Sequence, residues 1–568
     1  MQKNQTTKWV YLTSAENNSQ DISTNLNISS YVTKILLNRN IKTAEEANNF
    51  LFPLFDSLPE TKIPHVENAA KIVYSAIKEN KKFVVYGDYD VDGITGTTLL
   101  TDALRNFNVQ TEFYIPHRYT EGYGLNCDAV RSFAGQGFDF IITVDCGISN
   151  VKEIKLARQL GLDVIVIDHH TPPPELPEAS AIVNPKLNPS HLPYYHLSGV
   201  GVAYKFIEML FQTAQIDRSK IPSYYLELVA LGTITDIVPL LKENRTLTYY
   251  GLSKLNQTQN IGINNLKKIA SLKKKVNTYA VGFILGPRLN AAGRLEHASL
   301  GVKLLLTKNE TEAWQLSNHL HSINETRKST GKLIKETIIE ILTTSYDLVH
   351  QKSIVIAREA WHPGIIGVVS SQIASQFCRP TVLIAINEGK GRGSVRSVAN
   401  IDIFTPLSKC SHLFTAFGGH KEAAGFEILT ENIPAFEVQF KQIIDELVSF
   451  EDLQPVIKID LDLKPKDITL KLAKEIMLLE PFGQSNPEPV FCTKDMYPID
   501  FRTVGDGSHL HITFSDGMKL FTAIGFGMSS EIDKLQTGSV DIVYHLKINE
   551  WNKNTSVQLQ LIDIQKSD

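Results

Sequence analysis

The sequence predicts an α/β protein: a doubly wound parallel sheet in the N-terminal half, a helical stretch, a second mixed α/β region and a small β-rich C-terminal domain. Three observations carry this. The apolar runs "KFVVYG" (82–87), "FDFIITVD" (138–145) and "DVIVID" (163–168) are continuous, as in strands buried on both faces of a parallel sheet. "ITGTTLLTDALRNF" (94–107) and "NVKEIKLARQLG" (150–161) lie between and around them with helical spacing of apolar residues,. Beyond residue 455 short alternating strands take over, separated by Gly, Asp and Asn turns,.

Taken in order, the first 30 residues are polar and rich in Asn, Ser and Thr, so a loose lead-in with little regular structure is expected. "SSYVTKILLNRNIKTAEEANNFLFP" reads as short helices, and residues 1–50 form the lead-in. A sheet domain spans 51–240, with "QTEFYIP" (110–116) as a further strand. A helical connector spans 241–345, where "EAWQLSNHLHSINETRKSTGKLIKETIIEIL" keeps the 3.6-residue period,. Mixed α/β sequence fills 346–450. Residues 451–568 read as a small barrel or sandwich, with an OB-fold a candidate. "LKKK" (272–275) reads as a solvated face.

The chain has 568 residues, 43% hydrophobic and 21% charged, with net charge −4. This excludes a basic nucleic-acid coat but not an enzyme with a local basic groove. Five scattered cysteines with no CxxC argue against a disulfide framework or structural zinc and for a reducing compartment. The N-terminus lacks an apolar core and no run is long enough to span a bilayer, so a cytoplasmic protein without membrane attachment is expected.

Three predicted strands end in acid: the first in Asp88, Asp90 and Asp92, the next in Asp145 ("TVDCG"), the last in Asp168 with His169 and His170 ("IDHH"). Ligands of open parallel sheets bind outside the carboxyl ends of the strands. The acids should therefore converge, and like charges that close need cations or protons. Carboxylates with imidazoles suit a first-row divalent ion, Mn²⁺ over Ca²⁺. Two such ions could activate water and clamp a phosphoryl group. Any one of these acids, taken singly, is better read as a turn former or helix cap. A calcium loop is disfavoured because Thr98 stands where its bidentate Glu belongs,.

"GDYDVDG", "TVDCG", "IDHH" and "LGTITDIVPL" resemble, in order and spacing, the four motifs of the DHH phosphoesterase superfamily. "GPRLNAAGRL" (286–295), "WHPGIIGVVSSQIA" (361–374), "GRGSVRS" (391–397), "FGGHKEAAGF" (417–426) and "LEPFGQSNPEPVF" (479–491) resemble its RecJ branch, the single-strand-specific exonucleases. The resemblance covers residues 30 to the end. It implies a parallel-sheet DHH domain, a mixed α/β DHHA1 domain and a C-terminal OB-like β-barrel. It also implies hydrolysis of single-stranded DNA from 5′ to 3′, releasing 5′-mononucleotides, in DNA repair and recombination.

Carried over residue by residue, the resemblance makes Asp88, Asp90, Asp92, Asp145, His169 and Asp236 ligands of two Mn²⁺ or Mg²⁺ ions, with Asp145 bridging. His170 faces the scissile phosphate and Asp168 orients the histidines. Tyr86 stands where some members carry a histidine ligand. Arg288, Arg294 and His420 are candidate catalytic contacts to phosphate. Arg118, Ser394 and Arg396 are candidates for a 5′-phosphate pocket, with "GRGSVRS" read as a flexible loop. Gly418 and Gly419 permit close approach of the strand. Ser485 replaces the family's usual glycine in a turn. The partners implied are single-stranded DNA and a single-strand-binding protein or helicase, for a monomeric enzyme. Two rival readings are a DHH phosphodiesterase acting on short oligonucleotides or cyclic dinucleotides, and a non-catalytic DNA-binding scaffold.

Overall fold

The structure, a computed structural model, describes residues 7–13, 19–398, 401–536, 538–551 and 554–567. The chain divides into a larger unit (10–293, 297–318 and 458–568) and a smaller one (1–9, 294–296 and 319–457).

The larger unit opens with helices α1 (Ser19–Leu26), α2 (Ser30–Asn38) and α3 (Ala44–Leu51), the last started by a Thr43/Glu46 capping box. The expected loose lead-in is therefore corrected to a short strand at Lys8–Tyr11, paired with Val456–Ile459, and helix from residue 19; residues 1–6 and 14–18 of that stretch lie outside the described residues. The physical reason is burial. Ile22, Ile28, Val32, Ile35 and Leu36 share one apolar cluster with Leu472, Phe491 and Leu559 of the C-terminal domain, removing their surface from water.

The sheet follows: β1 (Phe83–Gly87), β2 (Thr111–Tyr114), β3 (Phe140–Val144), β4 (Asp163–Ile167) and β5 (Ala181–Val183), all parallel, in the order β2-β1-β3-β4-β5. Every residue of β1 and β3 is buried. Helices α4 (Val66–Lys78), α5 (Val91–Asn106), α6 (Cys127–Gly135), α7 (Val151–Gln159) and α8 (Gly199–Thr213) cover it. This order reverses direction between β1 and β3, the switch point where such sheets open a crevice. Gly87 pairs with Val144, and Val144 with Ile167. The next residues, Asp88, Asp145 and Asp168, therefore emerge level at that crevice.

Helices α9 (Tyr225–Thr235), α10 (Lys242–Asn256) and α11 (Ile261–Ile269) come next. A π-helical turn (Val281–Leu285) then runs into α12 (Gly286–Leu295), before α13 (Ser299–Leu306) and α14 (Glu310–Thr344). Arg245 of α10 is buried and donates to the Phe50, Leu479 and Glu480 carbonyls. It ties the end of α3 to the segment before the C-terminal barrel.

In the smaller unit, β6 (Ile354–Glu359), β7 (Thr381–Asn387), β8 (Lys390–Arg396), β9 (Phe414–Gly419) and β10 (Ala423–Leu429) form a sheet ordered β9-β10-β8-β7-β6, with α15 (Pro363–Phe377) and α16 (Ile433–Leu447). "GRGSVRS", expected as a loop, lies mostly on β8 and pairs on both sides. Its alternate residues Gly391, Gly393 and Val395 are buried, and the Phe426 ring fills the space a Cβ at Gly393 would take.

The C-terminal part of the larger unit holds β11 (Leu461–Asp462), α17 (Leu470–Ile476), β12 (Phe491–Val504), β13 (His509–Ser515), β14 (Leu520–Gly525), β15 (Val540–Trp551) and β16 (Asn554–Lys566). The order β12-β13-β14-β16-β15 closes when β15 pairs back onto β12. A five-stranded closed barrel results, as expected of an OB-like domain.

Candidate metal centre

Three groups of ligand atoms lie within 4.8 Å of one another: Asp88, Asp90 and Asp145; Asp145, His169 and His170; and Asp92, His169 and Asp236. Asp145 belongs to two groups and so does His169. The centre is built at the level carboxyl ends of β1, β3 and β4 and at the end of α9, whose last turn is capped by Asp236. Asp145 adopts φ +61, a left-handed conformation that Asp and Asn tolerate better than other side chains. Asp90 caps α5, accepting the Gly93 N–H at 3.0 Å. Asp92 accepts from Gly199 N–H at 2.6 Å and Val200 N–H at 2.9 Å, the first amides of α8.

Four buried atoms of this cluster make no hydrogen bond: Asp88 Oδ1, Asp145 Oδ1, His169 Nε2 and Asp236 Oδ2. His169 Nε2 stands 3.0 Å from Asp145 Oδ1, 3.7 Å from Asp236 Oδ2 and 3.9 Å from Asp92 Oδ2. Buried polar atoms left without partners are costly. Oxygen and imidazole-nitrogen lone pairs that converge in this way fit shared divalent cations.

The electrostatics agree. Burial, then neighbouring carboxylates, push Asp88, Asp145 and Asp236 well above the usual carboxylate range, and push Asp92 up to about 7. Without cations this centre favours protonated acids. Burial and the adjacent His170 hold His169 down at about 3, which keeps it neutral, the ligand form of imidazole. Asp168 behaves oppositely. Burial would raise it, but His170 outweighs that and holds it at about 2. It accepts from His169 N–H, His170 N–H and Ile148 N–H at 2.7–3.0 Å, and sits 2.8 Å from His170 Nδ1. It thus holds the His170 ring through Nδ1 and pins His169 through its backbone,. Burial opposes charge on His170, but Asp168 overcomes it and raises the imidazole.

Glycines let helices crowd the acids. A Cβ at Gly293 of α12 would lie 2.4 Å from the Tyr89 carbonyl, between Asp88 and Asp90, and one at Gly232 of α9 would lie 2.7 Å from Asp92 Oδ1. One at Gly286 would meet Thr235, next to Asp236, at 2.4 Å. "GPRLNAAGRL" is therefore packed directly against the acid-bearing loops.

The other expected site residues are placed as follows. Arg118 stacks over the Tyr89 ring, 4.7 Å from its centroid. Arg288 is buried on α12 and donates to the Ile284 carbonyl at 2.7 Å. In the smaller unit, Arg294 donates to the Gly364 carbonyl at 3.3 Å. Arg396 reaches Ser371 Oγ and Ser394 Oγ, each at 3.1 Å, over Gly367 of α15. Gly418 and Gly419 end the exposed edge strand β9, and His420 follows them in solvent. Tyr86 does not reach the centre. It is fully buried and donates to the Gly124 carbonyl at 2.8 Å.

Two groups at the centre escaped the sequence reading. Tyr123 donates to the Asp145 carbonyl at 3.2 Å and lies 3.1 Å from His170 Nδ1. Lys186, just beyond β5, interacts with Asp168 and Asp236, and burial lowers its ammonium. The available signals were Tyr123 between two glycines and a lysine closely following a strand end.

A family model described as the DHH family N-terminal domain matches residues 82–233, a DHHA1 domain model residues 350–446 and a RecJ OB domain model residues 459–563. A single-stranded-DNA-specific exonuclease RecJ of Bacillus subtilis is 36% identical over 568 residues, covering 99% of this chain and 71% of that protein. This chain belongs to the RecJ family. The Escherichia coli RecJ is 34% identical over 94% of this chain and 95% of its own length. Among solved structures, Thermus thermophilus RecJ in complex with Mn²⁺ superposes with a TM-score of 0.87 at 28% identity, covering 100% of this chain and 80% of that one. Its Mg²⁺ complex gives 0.81. The expected fold, a parallel-sheet DHH domain, a mixed α/β DHHA1 domain and an OB-like barrel, is that of the RecJ family.

Proposed function

We propose that this chain is a metal-dependent exonuclease that degrades single-stranded DNA from its 5′ end to 5′-mononucleotides, in DNA repair and recombination. The observation that carries this is the convergence of four buried, unbonded donor atoms at one sheet edge. The RecJ relatives are named for single-strand exonuclease activity, and the Thermus enzyme is described in complex with Mn²⁺ and with Mg²⁺.

In this reading Asp88, Asp90, Asp92, Asp145, His169 and Asp236 hold two Mn²⁺ or Mg²⁺ ions. When bound, such ions supply acidification of water and neutralisation of phosphoryl charge. The protein's own groups do the rest. Asp168 accepts from His170 Nδ1–H and raises the imidazole, so that the imidazolium's Nε2–H would donate to a phosphoryl oxygen,. Asp145 and Asp236 would hold the cations through their carboxylate oxygens and offset their charge. Arg288, Arg294 and His420 are proposed phosphate contacts, their planar or ring donors matched to phosphoryl oxygens. Arg118, Ser394 and Arg396 are proposed for the 5′-phosphate, and Gly418 and Gly419 for close passage of the strand.

The domain division proposed is 1–50, 51–240, 241–345, 346–450 and 451–568. The barrel would carry the strand by backbone contact and stacking. A monomer is proposed, working in the cytoplasm with a single-strand-binding protein or helicase. No helix among the described residues is long and apolar enough to cross a membrane.

The test is a substrate panel with purified protein in Mn²⁺ or EDTA: a long single strand, a blunt duplex and a dinucleotide. Mn²⁺-dependent loss of the long single strand alone is expected. Preference for the dinucleotide would favour the short-substrate phosphodiesterase, and no hydrolysis at all a scaffold.

A further inference from the structure

Just before α12, two large aromatic rings stand in solvent. Tyr279 is 63% exposed and Phe283 69% exposed. Their rings stack face to face, with centroids 4.9 Å apart and planes 26° from parallel. A Tyr–Phe pair four residues apart steadies a helix by only about 0.2–0.5 kcal/mol, which does not account for leaving both rings in water.

Their position is built, not incidental. Asn277 caps the turn by accepting the Ala280 N–H at 3.0 Å, and Val281 and Leu285 are buried beneath it. The intervening π-helical turn Val281–Leu285 is a rare geometry concentrated at functional sites. Gly282 and Gly286 face Ile234 and Thr235 in the last turn of α9. That turn ends at Asp236 of the metal centre, followed by Ile237, which is 69% exposed in a left-handed conformation. The turn that carries the rings therefore packs on the last turn of the helix that ends at the metal centre.

The flank is basic. Lys273, Lys274 and Lys275 are exposed. Lys275 feels the charge of Glu480, while Lys273 and Lys274 make no ion pair among the described residues. Exposed aromatic faces beside unpaired lysines are the composition of a surface that stacks bases and tracks phosphates.

We propose that Tyr279 and Phe283, with Lys273 and Lys274, form a base-stacking platform for single-stranded nucleic acid beside the metal centre. It rests on the exonuclease reading for its place in the reaction but not for its binding chemistry. The occupant is a single strand, because phosphates complement the lysines and the turn carrying the rings packs on the helix end that bears Asp236 of the metal centre.

The test uses the full-length protein in EDTA, so that no hydrolysis intrudes. Fluorescein-labelled oligothymidylates are titrated by anisotropy at several salt concentrations, and strands with 2-aminopurine at successive positions report stacking. The double variant Tyr279→Ala/Phe283→Ala should bind roughly 10- to 100-fold more weakly and lose the 2-aminopurine quenching seen with wild type. Tyr279→Trp/Phe283→Trp should retain both. Lys273→Ala/Lys274→Ala should lower the salt slope by about 1.4. The proposal is overturned if the alanine variant, melting like wild type, binds and quenches unchanged, or if the tryptophan variant is as weak as alanine. Mn²⁺-dependent hydrolysis by wild type is measured in parallel. Its absence would remove the enzymatic reading, while lost binding in the alanine variant would still uphold the platform.

Discussion

Asp145→Asn removes one charge from the centre and almost nothing else. The side chain keeps its shape, and asparagine adopts the φ of +61 found there at least as readily as aspartate; alanine would add backbone strain. Ligand atoms of Asp88, Asp90 and Asp145 lie within 4.8 Å of one another. At an effective dielectric of about 20, two ionised carboxylates at that distance repel by about 3.5 kcal/mol. The acids relieve part of this by holding protons, so the metal-free variant should be more stable than wild type by about 1–2 kcal/mol at neutral pH. With Mn²⁺ the order reverses. A ligand at a thousand times its Kd stabilises the fold by about 4 kcal/mol, and the variant should lose most of that. Thermal melts in EDTA and across a Mn²⁺ titration read both effects. A metal-free variant that melts below wild type, or one that keeps the full Mn²⁺ shift, would refute the reasoning.

Other outcomes follow from the same geometry. In metal-free protein the raised carboxylates Asp88, Asp92, Asp145 and Asp236 contribute stability that is full below their unfolded value of about 4 and lost as pH rises through the raised native values, about 7 for Asp92. The gap between Mn²⁺ and EDTA melting temperatures should therefore widen from about pH 5 to pH 8; a gap that narrows contradicts the assignment. Asp168→Asn leaves one of the donors it serves facing an amide, and should cost about 2–3 kcal/mol in a urea melt and most of the activity. Gly293→Ala drives a methyl into the Tyr89 carbonyl. It should cost about 1–3 kcal/mol and raise the Mn²⁺ concentration needed for half-maximal stabilisation.

The strand ends were legible because apolar runs that stop at an acid are local signals. Their level emergence then follows from parallel pairing of Gly87, Val144 and Ile167. Asp236 was not legible by pattern. It caps a helix end, and only the motif resemblance raised it above a solvent-facing acid. The lead-in was misread because its composition is polar, while the few residues that matter, such as Ile22 and Val32, bury against strands more than 400 positions later. Strand β8 was misread because two of its three inward positions are glycines, Gly391 and Gly393, which hide the period-two pattern until Ile384 and Phe426 are seen packed over them. Tyr123 reaches Asp145 and His170 from a loop whose flanking glycines, Gly122 and Gly124, both take positive φ. No periodicity announces that.

The central claim is tested most directly by a time course on single-stranded DNA labelled at the 5′ or the 3′ end, with purified protein and Mn²⁺. The account predicts that 5′ label appears first and as mononucleotide, that 3′ label is released last, and that EDTA abolishes both. Early release of 3′ label, internal cleavage products, or hydrolysis indifferent to metal would contradict it.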